Sequence, residues 1–217
     1  MPDAEAVERL VSHRYFRAHV TPVQILNRAT DPFLPAVRPH TLAVLADLDR
    51  RGLRNHVLVI TRHQMKPGDI ARLNRLANLK VTLLFTYSGI DDARIEPYPS
   101  QVAAGSLELM SAPIGRRYRT ILYWRPLVPG LNDSAEHLEP AHALSQVADA
   151  TVFTGLFYRD QIAQYYRANG PQARCWSADC RFACGTRKSS PATAEPRRPH
   201  CYRYRPAQPL TSYSSPL

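Results

Sequence analysis

Cysteine is missing from most of the sequence, because none precedes Cys175 and all four lie in the last quarter of the chain. Long hydrophobic runs are missing too, since no stretch approaches the roughly 18 apolar residues of a transmembrane helix. The first residues mix acidic and basic side chains and lack the apolar segment of a secretory signal peptide. We therefore expect no membrane partner, a cytoplasmic location and no disulfide framework.

Positive charge is concentrated near the C-terminus. The chain has a net charge of +10, and the stretch from Gly170 onward alone has eight Lys/Arg against two Asp/Glu. That stretch also holds seven of the 19 prolines. Its composition cannot bury enough apolar surface to offset the entropy of ordering, so we predict a disordered tail over 169–217. Clustered Lys/Arg also bind phosphates, so nucleic acid is a second interpretation of the tail.

Short apolar runs rich in β-branched residues predict five strands between residues 21 and 168. Runs of this length suit strands that are covered on both faces, as in a parallel sheet. The predicted strands are Val23–Leu26, His56–Thr61, Lys80–Phe85, Thr120–Trp124 and Ala150–Thr154.

Helical patterns separate these strands. Residues 1–20 form an N-terminal helical segment in this interpretation, and the later helices are Thr41–Arg51, one capped by Asp69, Val102–Met110, one capped by Ser134, and Arg159–Arg167. Alternation of strand and helix predicts an α/β fold built from right-handed βαβ units. Two architectures fit, an open doubly wound sheet or a segment of a barrel, and both place functional loops at the carboxyl ends of the strands.

Polar residues follow each predicted strand, which indicates a ligand-binding rim. Asp31 can accept hydrogen bonds from an ammonium group, and Arg62 or Arg125 can pair with a carboxylate. Ser88 and Asn132, together with Thr86, can bond ribose hydroxyls. The set suits a zwitterionic, nucleoside-like ligand. An alternative for Arg125 is an ion pair with Glu96 or Asp133 that ties the rim together.

The order of motifs from Thr21 to Tyr158 resembles the radical S-adenosylmethionine (radical SAM) superfamily, and the branch it is most similar to is that of the spore photoproduct lyase-like proteins. The residues that carry the resemblance are Thr30-Asp31-Pro32-Phe33-Leu34-Pro35, then Ile60-Thr61-Arg62, then Glu96-Pro97, and finally Pro126, Pro129, Gly130, Asn132 and Asp133.

This resemblance implies that 21–168 form a partial (β/α) barrel of the radical SAM type, with the second to sixth strands of the barrel. It also implies that S-adenosyl-L-methionine binds at the carboxyl rim. Thr30 and Asp31 would lie near the methionine amino group, and Pro32 would belong to the same binding site. Arg62 and Ser88 would lie near the carboxylate or ribose, Arg125 and Asn132 on the sulfonium and ribose side, and Gly155 near the adenine.

The sequence departs from the family at the motif that binds the iron–sulfur cluster. Family members bind a [4Fe–4S] cluster through a C-x3-C-x2-C loop after the first strand, and no such motif is present here. We expect that segment to come from a longer chain or a partner chain. Cys175, Cys180 and Cys184, with Cys201 further on, have a different spacing, so an auxiliary iron–sulfur cluster, a zinc site and unpaired thiols all stay open.

Three functions follow from these observations. The first is a radical SAM domain whose full-length form performs radical chemistry on a substrate that the sequence does not identify, and which is inactive as given. The second is a non-enzymatic remnant or interaction module that keeps the rim without the chemistry. The third is a basic nucleic-acid-binding protein.

Overall fold

The computed structural model describes residues 1–26, 30–128 and 130–156, together with positions 161, 164 and 168. Helices and strands alternate along this part of the chain. The elements are α1 (Asp3–Val11), β1 (Val23–Ile25), α2 (Arg38–Arg50), β2 (His56–Thr61), α3 (Pro67–Asn74), β3 (Lys80–Tyr87), α4 (Ser100–Ser111), β4 (Arg119–Leu127), α5 (Ala135–Val147) and β5 (Ala150–Gly155). Of the predicted helix over 159–167, only positions 161 and 164 lie within the described residues, and both are helical.

The five strands form one parallel sheet, which confirms the predicted α/β class. They pair in the order β1-β2-β3-β4-β5, so each strand lies beside the one that precedes it in the chain. A doubly wound sheet reverses its strand order at a switch point. The described strands have no such reversal.

The strands form where β-branched and aromatic residues favour extended backbone. The range predicted for β2 matches the structure, whereas β3 and β4 extend further than predicted. Pairing explains the extension, because Thr86 and Tyr87 continue the parallel ladder opposite Tyr123 and Trp124. On the other side of β4, its pairing with β5 has a register shift between Trp124 and Leu127. This shift interrupts the regular β4–β5 ladder near the carboxyl end of β4.

The two faces of the sheet differ in burial. Val57, Val59, Leu83, Phe85 and Leu122 point to one face and belong to the hydrophobic core. The core also includes helix residues, among them Leu45, Leu48, Leu73, Leu107 and Met110. The opposite face, which we call the open face, carries two buried side chains, Leu84 and Thr86, and half-buried ones at Leu58, Ile60, Thr82, Ile121 and Tyr123. Right-handed crossovers between strands in chain order place the helices on a single face, which accounts for this difference.

Three helices begin earlier than predicted: α4 begins at Ser100 instead of Val102, and the other two have a proline in the first turn. α2 begins at Arg38 with Pro39 in its first turn, and α3 begins at Pro67. Proline is well suited to the first turn, because its fixed φ is helical and its missing N–H would be unbonded there anyway. Asp69 is consequently inside the first turn of α3 and is not the N-cap that we predicted. Its carboxylate accepts a hydrogen bond from the backbone N–H of Lys66 at 2.8 Å.

The N-terminus of α5 also differs in detail from the prediction. Ser134 occupies the N-cap position, but its hydroxyl makes no capping hydrogen bond to the helix backbone. It bonds instead to Nδ1 of His137 at 2.7 Å. Among the described helices, none is both long enough and apolar enough to cross a bilayer.

Buried polar side chains fix the amino ends of the strands. The Asn55 amide bonds to the backbone of Arg17, His19 and Thr21, just before β1. The Asp49 carboxylate accepts three backbone N–H groups from residues 77–79, just before β3. Burial alone would raise the pKa of Asp49, but these N–H groups outweigh it and lower the pKa below its ordinary value.

Candidate functional site

The predicted site residues gather at one edge of the sheet, as parallel strands require. The edge is formed by the carboxyl ends of β1 to β5 and by the residues that follow them, and we call it the carboxyl rim. Asp31 follows β1, Arg62 follows β2 and Ser88 follows β3. Arg125 lies near the end of β4, within the register shift between Trp124 and Leu127. Gly155 ends β5 opposite Leu127.

Asp31 is buried and bonded within the chain. Its Oδ1 accepts hydrogen bonds from the backbone N–H of Phe33 at 2.9 Å and from the Thr61 hydroxyl at 2.6 Å. Its Oδ2 accepts the backbone N–H of Arg62 at 2.8 Å. The carboxylate therefore ties the loop after β1 to the end of β2. Its free lone pairs are the only acceptor capacity that it can offer to a ligand.

Arg62 forms an ion pair with Glu96, in the long loop between β3 and α4. Its guanidinium also lies 6.0 Å from the ring centroid of Tyr98. The Arg62 Nε–H is buried and has no hydrogen-bond partner within the described part of the chain. Together with Thr86, Ser88 and Ser100, these residues line a narrow cleft of about 10 Å³. A space of that size is limited to about one water molecule, so a larger ligand must lie above this cleft.

Asn132 joins the ends of β3 and β4. It is fully buried, and its side-chain N–H groups donate to the backbone carbonyls of Ser88 at 2.6 Å and Pro126 at 2.9 Å. Its Oδ1 accepts the backbone N–H of Val128 at 2.7 Å. The Ser88 hydroxyl is also engaged, since it accepts the N–H of Ile90 and lies 3.3 Å from the Ser100 hydroxyl. The role of these two residues in the described chain is to position the rim.

Arg125 is exposed and stacked on an aromatic ring. Its guanidinium carbon lies 5.0 Å from the centroid of the Tyr123 ring, and its Nη1 donates to the Tyr123 hydroxyl at 3.0 Å. The suggested ion pair with Glu96 or Asp133 is wrong. Glu96 pairs with Arg62, and the Asp133 carboxylate accepts the N–H of Gly130. Because no carboxylate among the described residues pairs with it, Arg125 keeps donors for an anionic group.

The remaining site residues differ in accessibility. Thr30 is exposed, whereas Pro32 is buried and its carbonyl accepts the Thr41 hydroxyl at 2.8 Å. Gly155 is exposed, and a Cβ there would lie 3.9 Å from its nearest neighbour, the carbonyl oxygen of Leu127. Of the predicted site residues, Thr30, Arg62, Arg125 and Gly155 therefore have accessible surface for a ligand, whereas the others hold the rim in place.

Several predictions fall on residues outside the described part of the chain. They include Pro129 and the tail cysteines Cys175, Cys180, Cys184 and Cys201. Within the described residues, no group of three or more His, Cys, Asp or Glu side chains is placed to hold a metal ion.

Tyr98 and Tyr123 were not identified as rim contacts from the sequence, although both contact predicted residues. Tyr123 had a detectable signal, since it lies two positions before Arg125 in a predicted strand and so on the same face. Tyr98 had no such signal, because it reaches Arg62 from a loop.

Comparison of the chain with protein-family models finds no matching family, and neither curated proteins nor solved structures provide a match. The function of the rim therefore has to follow from the chemistry of its side chains.

Proposed function

We propose that this chain contributes consecutive units of a (β/α) barrel of the radical SAM type and that its carboxyl rim binds S-adenosyl-L-methionine. The observation that carries the proposal is the strand order. A sheet that grows in one direction, with its helices on one face, has the topology of a barrel segment. In such folds ligands bind at the carboxyl ends of the strands, where the rim residues lie.

The accessible rim residues suit that ligand. The exposed Arg125 offers guanidinium N–H groups to the methionine carboxylate, and its stacking on Tyr123 orders it before binding. Gly155 leaves space for a flat base beside the end of β5. The half-buried open face below the rim offers apolar contact through Ile121 and Tyr123.

The described residues do not fit the iron–sulfur cluster of the family. They contain no cysteine and no other group of three ligating side chains. Iron–sulfur clusters are held mainly by thiolates. No radical step is therefore assigned to this part of the chain, and the proposal is limited to binding of the nucleoside ligand.

Titration calorimetry with S-adenosyl-L-methionine tests the proposal on the full chain. We expect measurable binding that weakens by about tenfold in Arg125→Gln, because a charge-assisted hydrogen bond is lost. Arg117→Gln is the matched control, since Arg117 is exposed and lies just before β4, at the opposite edge of the sheet. Equal binding by wild type and Arg125→Gln, or no binding by the wild type, contradicts the proposal.

A non-enzymatic module is the second candidate, and the internal bonding of the rim favours it. Asn132 uses its polar groups within the chain, the Asp31 carboxylate accepts three hydrogen bonds there, and Arg62 pairs with Glu96. Anaerobic reconstitution with iron and sulfide separates the two candidates. A colourless, folded protein that does not bind S-adenosyl-L-methionine supports the module, whereas a broad visible absorbance from an assembled cluster supports the enzyme.

A further inference from the structure

A groove lies between α2 and α3, and none of the residues that line it is among the predicted site residues of the carboxyl rim. Its volume is about 420 Å³. Along α2 it is lined by Pro39, Ala43, Ala46 and Arg50, which recur at the spacing of one helix face. From Pro39 to Arg50 this face runs for about 16 Å, or three helical turns.

The groove exists because two neighbouring helices do not pack closely. α1 packs against α2 and α4 packs against α5, whereas α2 and α3 have no comparable contact. The exposed α2 residues on this face include alanines, which are too small to reach across. Four leucines form the floor of the groove: Leu42, Leu45, Leu73 and Leu76.

The sides of the groove are positively charged. Arg72 lies in α3, and Arg75 lies at the C-cap that follows it. Both are exposed, and neither has an ion-pair partner among the described residues. Arg50 bonds to Asp47, yet 79% of its side chain is exposed. The acidic residue lining the groove is Asp49, whose carboxylate already accepts three backbone N–H groups. An occupant therefore meets three guanidinium groups above an apolar floor.

We propose that this groove binds an acidic amphipathic helix of a partner protein. An apolar stripe of such a helix would cover the leucine floor and the alanines of α2, and carboxylates on its flanks would pair with Arg50, Arg72 and Arg75. Arginine is enriched at protein interfaces and pairs with carboxylates in a bidentate geometry. Nucleic acid suits the groove less well, because its floor offers neither hydrogen-bond donors nor aromatic rings for stacking.

Fluorescence anisotropy on the full chain tests the inference. The probe is a labelled peptide of about 18 residues with leucine and alanine on one helix face and glutamate elsewhere. We expect saturable binding that weakens by about tenfold in the double variant Arg72→Glu/Arg75→Glu. A peptide with lysine in place of glutamate should bind the double variant and not the wild type, a charge swap that loss of folding cannot produce.

Two further variants sharpen the test. Ala46→Trp fills the groove without changing charge and should also weaken the glutamate peptide. Arg14→Glu/Arg17→Glu makes the same charge change in the segment between α1 and β1, outside the groove, and should leave binding unchanged. The proposal is overturned by a wild type that fails to bind the glutamate peptide. It is equally overturned if the control variant weakens binding as much as the groove variant, or if Ala46→Trp blocks a single-stranded oligonucleotide and not the peptide.

Discussion

The side-chain amide of Asn132 donates a 2.6 Å hydrogen bond to the backbone carbonyl of Ser88, which lies 44 residues earlier in the chain. The two residues follow adjacent strands, and the bond closes the space between the β3 and β4 ends. No other side chain in the described rim satisfies backbone groups from both of these strand ends. Four predictions follow from this and other buried polar contacts.

Asn132→Ala should lower the free energy of unfolding by about 2–4 kcal/mol, because it leaves the Ser88 carbonyl and the Val128 N–H buried without partners. Urea denaturation measures the loss. The neighbouring Asp133→Ala removes one exposed hydrogen bond to Gly130 and should cost less than about 1 kcal/mol. Equal losses in the two variants would show that the Asn132 bonds do not hold the rim.

Asp31→Asn should destabilise the fold by about 2–3 kcal/mol even though it preserves the shape of the side chain. Both oxygens of the carboxylate accept hydrogen bonds from N–H or O–H donors. An amide would replace one oxygen with an NH2 group, which would then face one of these donors without an acceptor. Thermal unfolding followed by circular dichroism measures the change. Thr61→Val, which removes one of the donors, should have a smaller effect, and a reversed order would contradict this interpretation.

Stability should fall with acid in part through Asp49. Its pKa in the folded chain lies below its ordinary value of 3.8, so its stabilising contribution is present above about pH 4 and is lost as the pH falls through the lower folded pKa. Asp49→Asn should be less stable than wild type at neutral pH, and the difference should narrow between about pH 4 and pH 2. Unfolding by urea across that range measures it, with Asp133→Asn as an exposed control. A difference that stays constant with pH would rule out the role of the Asp49 charge.

Alkaline pH should act through Tyr118. Burial raises the pKa of this phenol to about 12, an effect that the nearby Arg116 partly opposes. The folded state therefore favours the neutral phenol, so its contribution is complete below about pH 10 and is lost as the pH rises towards the folded value. Between about pH 10 and pH 12, the free energy of unfolding of Tyr118→Phe should fall less than that of the wild type. Denaturant unfolding followed by fluorescence measures this difference. The exposed Tyr15→Phe should behave as wild type, and a shift equal to that of Tyr118→Phe would contradict the prediction.

The sheet was predictable because its signal is local. Runs such as His56–Thr61 are β-branched, short and bounded by polar residues, and these features do not depend on distant parts of the chain. Boundaries were less predictable where pairing decides them, as at Thr86 and Tyr87, which extend β3 opposite β4. The cap of α3 was misplaced because Pro67 starts the helix before Asp69, and proline reads equally well as a turn residue.

The location of the candidate site was predictable, but the partners of its side chains were not. Parallel strands bring their carboxyl ends to one edge, so residues such as Asp31 and Ser88 had to lie there. Glu96 pairs with Arg62 and not with Arg125 because of the path of the long loop that carries Glu96. Sequence patterns do not encode such a path, and an arginine with two carboxylates within reach has no locally determined partner.

The strand order has a consequence for how the chain assembles. Each strand pairs with the one made just before it, so during synthesis every new unit finds a finished edge to join. Growth of this kind needs no later segment to return between earlier strands, which keeps the closed loops shorter than in a sheet whose strands pair out of chain order. A nascent chain can therefore accumulate stable structure from its N-terminus while its tail is still in the ribosome.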